Sequence, residues 1–367
     1  MRQTIAVICC LFATQCGPTS SSRDSAAQSD ATSQSDVASQ SDASSQSDAA
    51  SQSDASSSEA TTAAVTAAEA FLATLSSEQR TAVQFAYDDD AQKVRWSNFP
   101  TGIFSRAGLK FGVLSEAQQT AVWAMLRAVL SAKGYQQVVD TVDADEVLRS
   151  QTTGGNLVFG KAEYFVALRG APSMTSPWCI QFGGHHLAIN VTIRGARMTL
   201  APSLTGAQPT SFTRAGSAVR VQGEELDAAF AMVNSLTPEQ RATAVIGAAV
   251  MDLALGPGQD GRTVANEGIR ADALTAAQRE QLVALIQTRV GMINDSAASL
   301  KMSEVRATLD QTYFAWSGPT AVGSAAYFRV TGPSLFIEYS PQSMGGSATN
   351  HTHAMYREFG NDYGASL

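Results

Sequence analysis

The chain has 367 residues and a formal charge of −8, from 25 Lys and Arg against 33 Asp and Glu. Residues 1–60 hold two Arg, six Asp and one Glu, so about −5 of that charge sits there and about −3 on the rest. The remainder is long enough to bury a sizeable core, and it shows no basic cluster of the kind that tracks phosphate backbones, which excludes nucleic acid as an expected partner.

Arg2 followed by the apolar stretch Ile5–Phe12 has the form of a secretion signal, one positive flank and too few apolar residues to span a bilayer. Ala13-Thr14-Gln15-Cys16 resembles a bacterial lipobox, although Gln15 is larger than the usual small residue before the cysteine. Residues 1–16 are therefore expected to be a signal peptide, with Cys16 diacylated and the new N-terminus. The expected product is exported and held by its lipid to a membrane of the cell envelope, periplasmic or at the cell surface; cut by an ordinary signal cleavage near Cys16 and not lipidated, it is secreted. Cys9 and Cys10 lie within the signal and Cys16 takes lipid, leaving Cys179 as the one thiol of the mature domain. Flanked by Trp178 and Ile180, it is expected to be a small buried hydrophobe.

Residues 17–60 are mostly Ser, Asp, Ala and Gln, with a near-repeat at Gln28-Ser29-Asp30, Gln34-Ser35-Asp36, Gln40-Ser41-Asp42, Gln46-Ser47-Asp48 and Gln52-Ser53-Asp54. Such a composition offers little apolar surface to offset ordering entropy, and the expectation is a disordered tether with a reach of roughly 35 Å.

From residue 61 to 367 the chain matches itself. Leu75-Ser76-Ser77-Glu78-Gln79-Arg80 recurs as Leu236-Thr237-Pro238-Glu239-Gln240-Arg241, and Leu114-Ser115-Glu116-Ala117-Gln118 recurs as Leu274-Thr275-Ala276-Ala277-Gln278. At the same offset Tyr164-Phe165 matches Tyr327-Phe328, and Gly170-Ala171-Pro172-Ser173 approximates Gly332-Pro333-Ser334. Ser76, Ser115, Thr237 and Thr275 have the chemistry of helix N-caps, and Pro238 suits a first helical position. Glu163–Leu168, Leu187–Ile193, Ala326–Val330 and Leu335–Tyr339 read as strands. Helices followed by strands, twice, predict one internally duplicated α+β domain of pseudo-twofold form, with copies at about 61–222 and 223–367.

All four histidines fall in two motifs, His185-His186 and His351-Thr352-His353. On extended chain, residues two apart share a face, so His351 and His353 point together and one of the adjacent pair can join them. His185 shares its alternation with Leu187, Ile189 and Val191, and His186 with Ala188, Asn190 and Thr192, which favours His186 and keeps His185 as a further candidate ligand. Three imidazoles form a reasonable site for Zn, Cu or Fe²⁺. Glu163, Glu338, Glu358 and Asp362 are candidate fourth groups, with Glu338 or Asp362 as a base. Arg329 and Arg357 are candidates for anion binding, with salt bridges as the competing role. Gly256-Pro257-Gly258-Gln259-Asp260-Gly261 reads as a loop rather than a phosphate cradle, since no strand precedes it.

The run Trp178 and Phe182-Gly183-Gly184-His185-His186-Leu187-Ala188-Ile189-Asn190, the segment Ala201–Pro209, Tyr327-Phe328-Arg329, Ile337-Glu338-Tyr339, Asn350-His351-Thr352-His353, Arg357 and Asn361-Asp362-Tyr363-Gly364 together resemble the bacterial and fungal family catalogued as domain of unknown function 3500. The likeness runs from about residue 67 to the end. Two departures stand out: Cys179-Ile180 where Gly-Trp is expected, and Gly183 where an acidic residue often precedes Gly-His-His. The resemblance implies an exported domain with a histidine-rich centre and supplies no reaction. Two functions remain from the residues: a metal-dependent enzyme, a hydrolase by its chemistry, or a non-catalytic lipoprotein that captures a small-molecule or protein ligand between its halves.

Overall fold

The computed structural model describes residues 42–344 and 346–367. The signal segment, Cys16 and the tether up to residue 41 lie outside the described residues. The compact unit Ser47–Leu367 carries the sheet and the histidine cluster.

The first helix, α1 (Asp42–Ala73), begins inside the stretch expected to be tether. Ser57 and Ala60 are already buried, so folded structure starts before residue 61. The reason is local. No Gly or Pro occurs between Thr19 and Phe99, and once Ala64, Ala68 and Phe71 dock in the core, an Ala- and Ser-rich segment continues the helix at little cost.

Four more helices follow in the first half, α2 (Ser77–Val83), α3 (Asp90–Lys93), α4 (Glu116–Val129) and α5 (Ala132–Gln151). The second half has α6 (Gly223–Asn234), α7 (Pro238–Ala244), α8 (Ala276–Val290) and α9 (Asp295–Ala307). Ser76, Ser115, Thr237 and Thr275 each form a full capping box with a glutamine three residues on. The glutamines also join the boxes within each half: Gln118 donates to Gln79 at 2.9 Å, and Gln278 to Gln240 at 2.8 Å.

Ten strands form the main path of one large mixed sheet: β1 (Gln84–Phe85), β2 (Phe165–Arg169), β3 (Trp178–Gly184), β4 (Leu187–Arg194), β5 (Ser203–Ala207), β6 (Val245–Gly247), β7 (Tyr313–Ser317), β8 (Tyr327–Thr331), β9 (Phe336–Pro341) and β10 (Thr352–Arg357). Their spatial order is β1-β2-β3-β4-β5-β10-β9-β8-β7-β6, so each half runs inward from its own edge and the halves meet where β5 pairs antiparallel with β10. Among the described residues only the edge pairs β1–β2 and β6–β7 are parallel. Three short strands, Leu109–Lys110, Arg197–Thr199 and Ile269–Arg270, extend the sheet off this path.

Alternation gives the sheet two different faces. Val166, Leu168, Ile180, Phe182, Ile189, Val191, Phe314, Trp316, Phe328, Ile337 and Tyr356 join the helix residues Phe71, Val122, Leu126, Phe230, Leu282 and Ile286 in the principal core. The other face carries Arg169, Gln181, Asn190, His353, Arg357, Glu338 and Arg329, and it is buried too. Loops cover it and pair its polar groups: Gln181 donates to the carbonyls of Gln92 and Lys93, and Glu338 accepts from Ala254 and Leu255 N–H at 2.7 Å each. Trp96 of the first loop and Tyr363 share a small cluster with Leu204 and Met355, and Trp96 donates to the Tyr363 hydroxyl at 2.8 Å.

The constant sequence offset misaligns the strands. Leu109 pairs with Val166 and Ile269 with Phe314, so the strand in the place of β2 is β7, and β8 stands in the place of β3. Tyr164-Phe165 therefore has no structural counterpart in Tyr327-Phe328. Likewise the turn after β2, opened by Gly170 at φ 76°, corresponds in position to the one opened by Gly318 at φ 108°, not to Gly332-Pro333-Ser334. The separation shrinks because α5 runs for 20 residues against 13 for α9 and leads into the additional loop Thr152–Gly160.

Candidate metal centre

His185 and His186 are not on a strand. They are the two residues of the turn between β3 and β4, so the face alternation that singled out His186 does not apply to them. His186 has φ 61°, in the left-handed region where glycine is the inexpensive choice. A histidine held there costs about 1–3 kcal/mol of backbone strain, and the surroundings maintain it. Its N–H donates to the Asn98 carbonyl at 3.3 Å, and its own carbonyl accepts from Gly206 N–H at 2.6 Å. Accordingly, His186→Gly is expected to be more stable than His186→Ala by about 1 kcal/mol in denaturant unfolding, because alanine keeps the strain and loses the ring. Equal stabilities would show that the turn is unstrained.

The second motif arrives from across the seam. His353 lies on β10 directly opposite Gly206 of β5, and His351 just precedes that strand. Gly206 makes room for both motifs: a Cβ there would stand 2.8 Å from the His353 ring and 3.2 Å from His186 Cβ. The result is a cluster in which His186, His351 and His353 present ring nitrogens within 4.8 Å of one another. His186 Nε2 is 2.9 Å from His351 Nε2, and the His353 ring centre is 5.0 Å from that of His186 and 4.9 Å from that of His351. Two nitrogens bound at 2.0–2.1 Å to one ion stand about 2.9 Å apart at a right angle and about 3.3 Å apart at the tetrahedral angle, so this spacing fits a shared ion with little movement.

The protonation pattern fits as well. His351 Nδ1–H donates to the Met344 carbonyl at 2.7 Å, which leaves its Nε2 lone pair facing His186. Such a bond to the remote nitrogen is the support that fixes a ligating imidazole. In the ion's absence His186 Nε2–H donates into that lone pair. Asn98 Nδ2 lies 3.4 Å from His353 Nε2. Burial holds His186 and His353 well below the usual histidine range, helped by the neighbouring imidazoles, and it lowers His351 despite the Met344 carbonyl. Neutral imidazole is the form that binds metal.

The carboxylate at this centre is Asp145, which was not among the sequence candidates. It projects from α5, 1% exposed, with one oxygen 2.6 Å from His185 Nδ1 and the other accepting from Gly160 N–H at 2.7 Å. Asp145, His185 and His186 also lie close enough to be considered as a ligand set, yet two observations decide against it. The 2.6 Å contact is shorter than two ligands of one ion allow and is a hydrogen bond. The His185 ring stacks on His186 with centres 3.6 Å apart and planes 29° off parallel, so its in-plane nitrogens do not point where those of His186 do. His185 and Asp145 form a buttressing pair behind the centre, closed by Phe159 at 5.0 Å and by Tyr164, whose hydroxyl donates to the His185 carbonyl.

The other sequence candidates are engaged elsewhere. Glu338 accepts from Ala254, Leu255 and the Tyr327 hydroxyl; desolvation outweighs these donors and pushes its carboxyl up to about 7. Asp362 accepts from Arg357 and from Glu358 N–H. Glu163 pairs with Lys110, and Glu358 accepts from Thr199, Tyr356 and Asn361. Arg329 is paired with Glu267 and Arg357 with Asp260 and Asp362, so the salt-bridge role holds for both arginines and their anion-binding role does not. The loop at Gly256–Gly261 supplies Asp260 and the Gly256 carbonyl to Arg357. Cys179 is a free, fully buried thiol whose pKa burial raises, consistent with an inert packing role.

A family model described as a protein of unknown function (DUF3500) matches residues 57–365. The chain belongs to that family. No curated protein and no solved structure matches it. Within this family member, Gly183 is closed to the acidic residue expected there, because a Cβ would lie 2.5 Å from the Leu187 carbonyl oxygen.

Proposed function

We propose that the chain is an exported, lipid-anchored protein whose folded domain is a metal-dependent enzyme, with His186, His351 and His353 as ligands to one divalent transition ion, Zn, Cu or Fe. One observation carries this reading: three neutral imidazoles from two distant motifs converge, with 2.9 Å between two of their nitrogens and the remote nitrogen of one tied to a backbone carbonyl. Three protein ligands leave a coordination position for water, and a bound ion supplies Lewis acidity there, the chemistry of hydrolases. Asp145 and His185 hold the turn that carries His186 and add a buried hydrogen-bonded pair beside it. The decisive experiment is metal analysis of the purified chain beside its His351→Ala and His353→Ala variants.

A second reading, a non-catalytic binding protein, is supported by a separate cavity of about 710 Å³ between α5, α6, α8 and α9, lined by Lys133, Gln137, Arg220, Glu224 and Arg289. It draws on both halves and includes no histidine. This reading expects a ligand whose thermal stabilisation of the protein survives chelator; stabilisation that chelator removes counts against it.

Export and anchoring rest on residues 1–16. Cys16→Ser is expected to move the protein from the membrane to the soluble fraction and to remove the mass of the acyl groups from its N-terminal peptide. A wild-type peptide without acyl mass would end the anchoring proposal.

A further inference from the structure

The loops that build the centre carry an unusual share of exposed apolar surface. Phe99, Ile103, Leu157, Val158 and Met344 are 40% exposed or more, and each sits on a segment that touches the histidines or their supports. Phe99 follows Asn98, which bonds His186 and neighbours His353. Thr101 bridges to Val158, and a Cβ on Gly102 would meet Asn156 and Leu157, so the Ile103 loop lies against the Leu157 loop. Phe159, next to Val158, packs on His185. Met344 provides the carbonyl for His351. Arg106 ties the first loop to the turn, donating to the carbonyls of Ser97, Phe99 and Gly184.

Exposed apolar side chains scattered singly need no explanation, whereas a group of them around a site does. These five lie on the loops that hold a centre whose ring nitrogens are buried, and a ligand that approaches the ion across these loops would meet them. Charged or polyhydroxylated molecules gain nothing from such a rim, while a hydrocarbon group removes both its own surface and the rim's from water.

We infer that the ligand of this centre joins a metal-binding oxygen to an apolar group, aromatic or branched alkyl, which lies on the rim formed by Phe99, Ile103, Leu157, Val158 and Met344. The inference rests on the metal reading above and extends it to a substrate class, esters or amides of apolar acids rather than sugars or polar peptides.

The test uses the full mature chain loaded with Zn²⁺ and two probes with the same chelating head, benzohydroxamate and acetohydroxamate, titrated calorimetrically, with zinc stoichiometry measured in the same samples. Benzohydroxamate is expected to bind at least about tenfold more tightly, the effect of partly burying a ring. The double variant Ile103→Ser, Leu157→Ser changes exposed positions and is expected to keep one zinc per chain while reducing that preference to about twofold or less. One zinc per chain with equal affinities, or an undiminished preference in the double variant, overturns the apolar-ligand inference and leaves the metal reading standing. Absence of stoichiometric zinc overturns both.

Discussion

Wild-type protein supplied with Zn²⁺ is expected to hold one ion per chain, and His351→Ala and His353→Ala are each expected to hold none. The ligand set fixes these outcomes: losing one of three imidazoles leaves two protein donors, too few for a tight site. His185→Ala separates ligands from supports. His185 stacks behind His186 and bonds Asp145, so its removal is expected to keep the metal stoichiometry while destabilising the fold, because a fully buried carboxylate loses its partner. Zinc at a hundredfold its dissociation constant is expected to stabilise the wild type by about 2.7 kcal/mol and the two ligand variants by nothing measurable. Elemental analysis beside denaturant unfolding with and without chelator reads all of these. Metal retained by His353→Ala, or lost from His185→Ala with the fold intact, would falsify the ligand assignment.

Acid is the second strong lever. Burial lowers the pKa of His186 and His353 below their unfolded value, so folding favours their neutral forms. Their contribution to stability is present above about pH 6.5 and is lost as pH falls through and below that value, at about 1.4 kcal/mol per pH unit for each proton taken up. Glu338 works in the opposite sense. Its carboxyl is raised from 4.5 to about 7, so its contribution is fully present below about pH 4.5 and is lost as pH rises through about 7. His351, also lowered by burial, acts in the same sense as these two, and between these limits one proton on Glu338 offsets one histidine proton. In metal-free wild type the stability is therefore expected to fall on acidification from pH 6.5 to 5 by less than the histidines alone impose. Glu338→Gln keeps an acceptor for Ala254 and Leu255 and removes the offset, so its curve is expected to be steeper by about 1.4 kcal/mol per pH unit. Parallel curves for wild type and variant would show that Glu338 is ionised throughout.

The helical half of the fold was legible because its signals are local: Ser76, Ser115, Thr237 and Thr275 announce their helices by side-chain chemistry alone. The histidine centre was legible by composition, since two pairs account for every imidazole, and His186 lies with His351 and His353, although face alternation is not the reason. Alternation holds along extended chain, and His185-His186 form a turn. Gly183-Gly184 ahead of the pair was the signal for the turn, and glycine at the end of a strand is where backbone reversal is inexpensive. Asp145 was missed because it sits far away in sequence on a helix. Its signature was an acid on the buried stripe of α5, in line with Val138, Thr141 and Val142, where an unpaired charge is not tolerated. The Tyr-Phe match misled for another reason: identity at a constant offset carries no information once the longer α5 and the loop Thr152–Gly160 have shifted one half against the other.

The seam between β5 and β10 also bears on how long the protein lasts. His186 and His351 are 165 positions apart, and they meet only when the first half of the sheet has docked on the second. An ion held between them would act as a reversible crosslink closing most of the domain into one loop, and chain entropy makes such long closures the most effective at disfavouring the unfolded state. Protease resistance would then follow the supply of metal, with starvation opening the seam first.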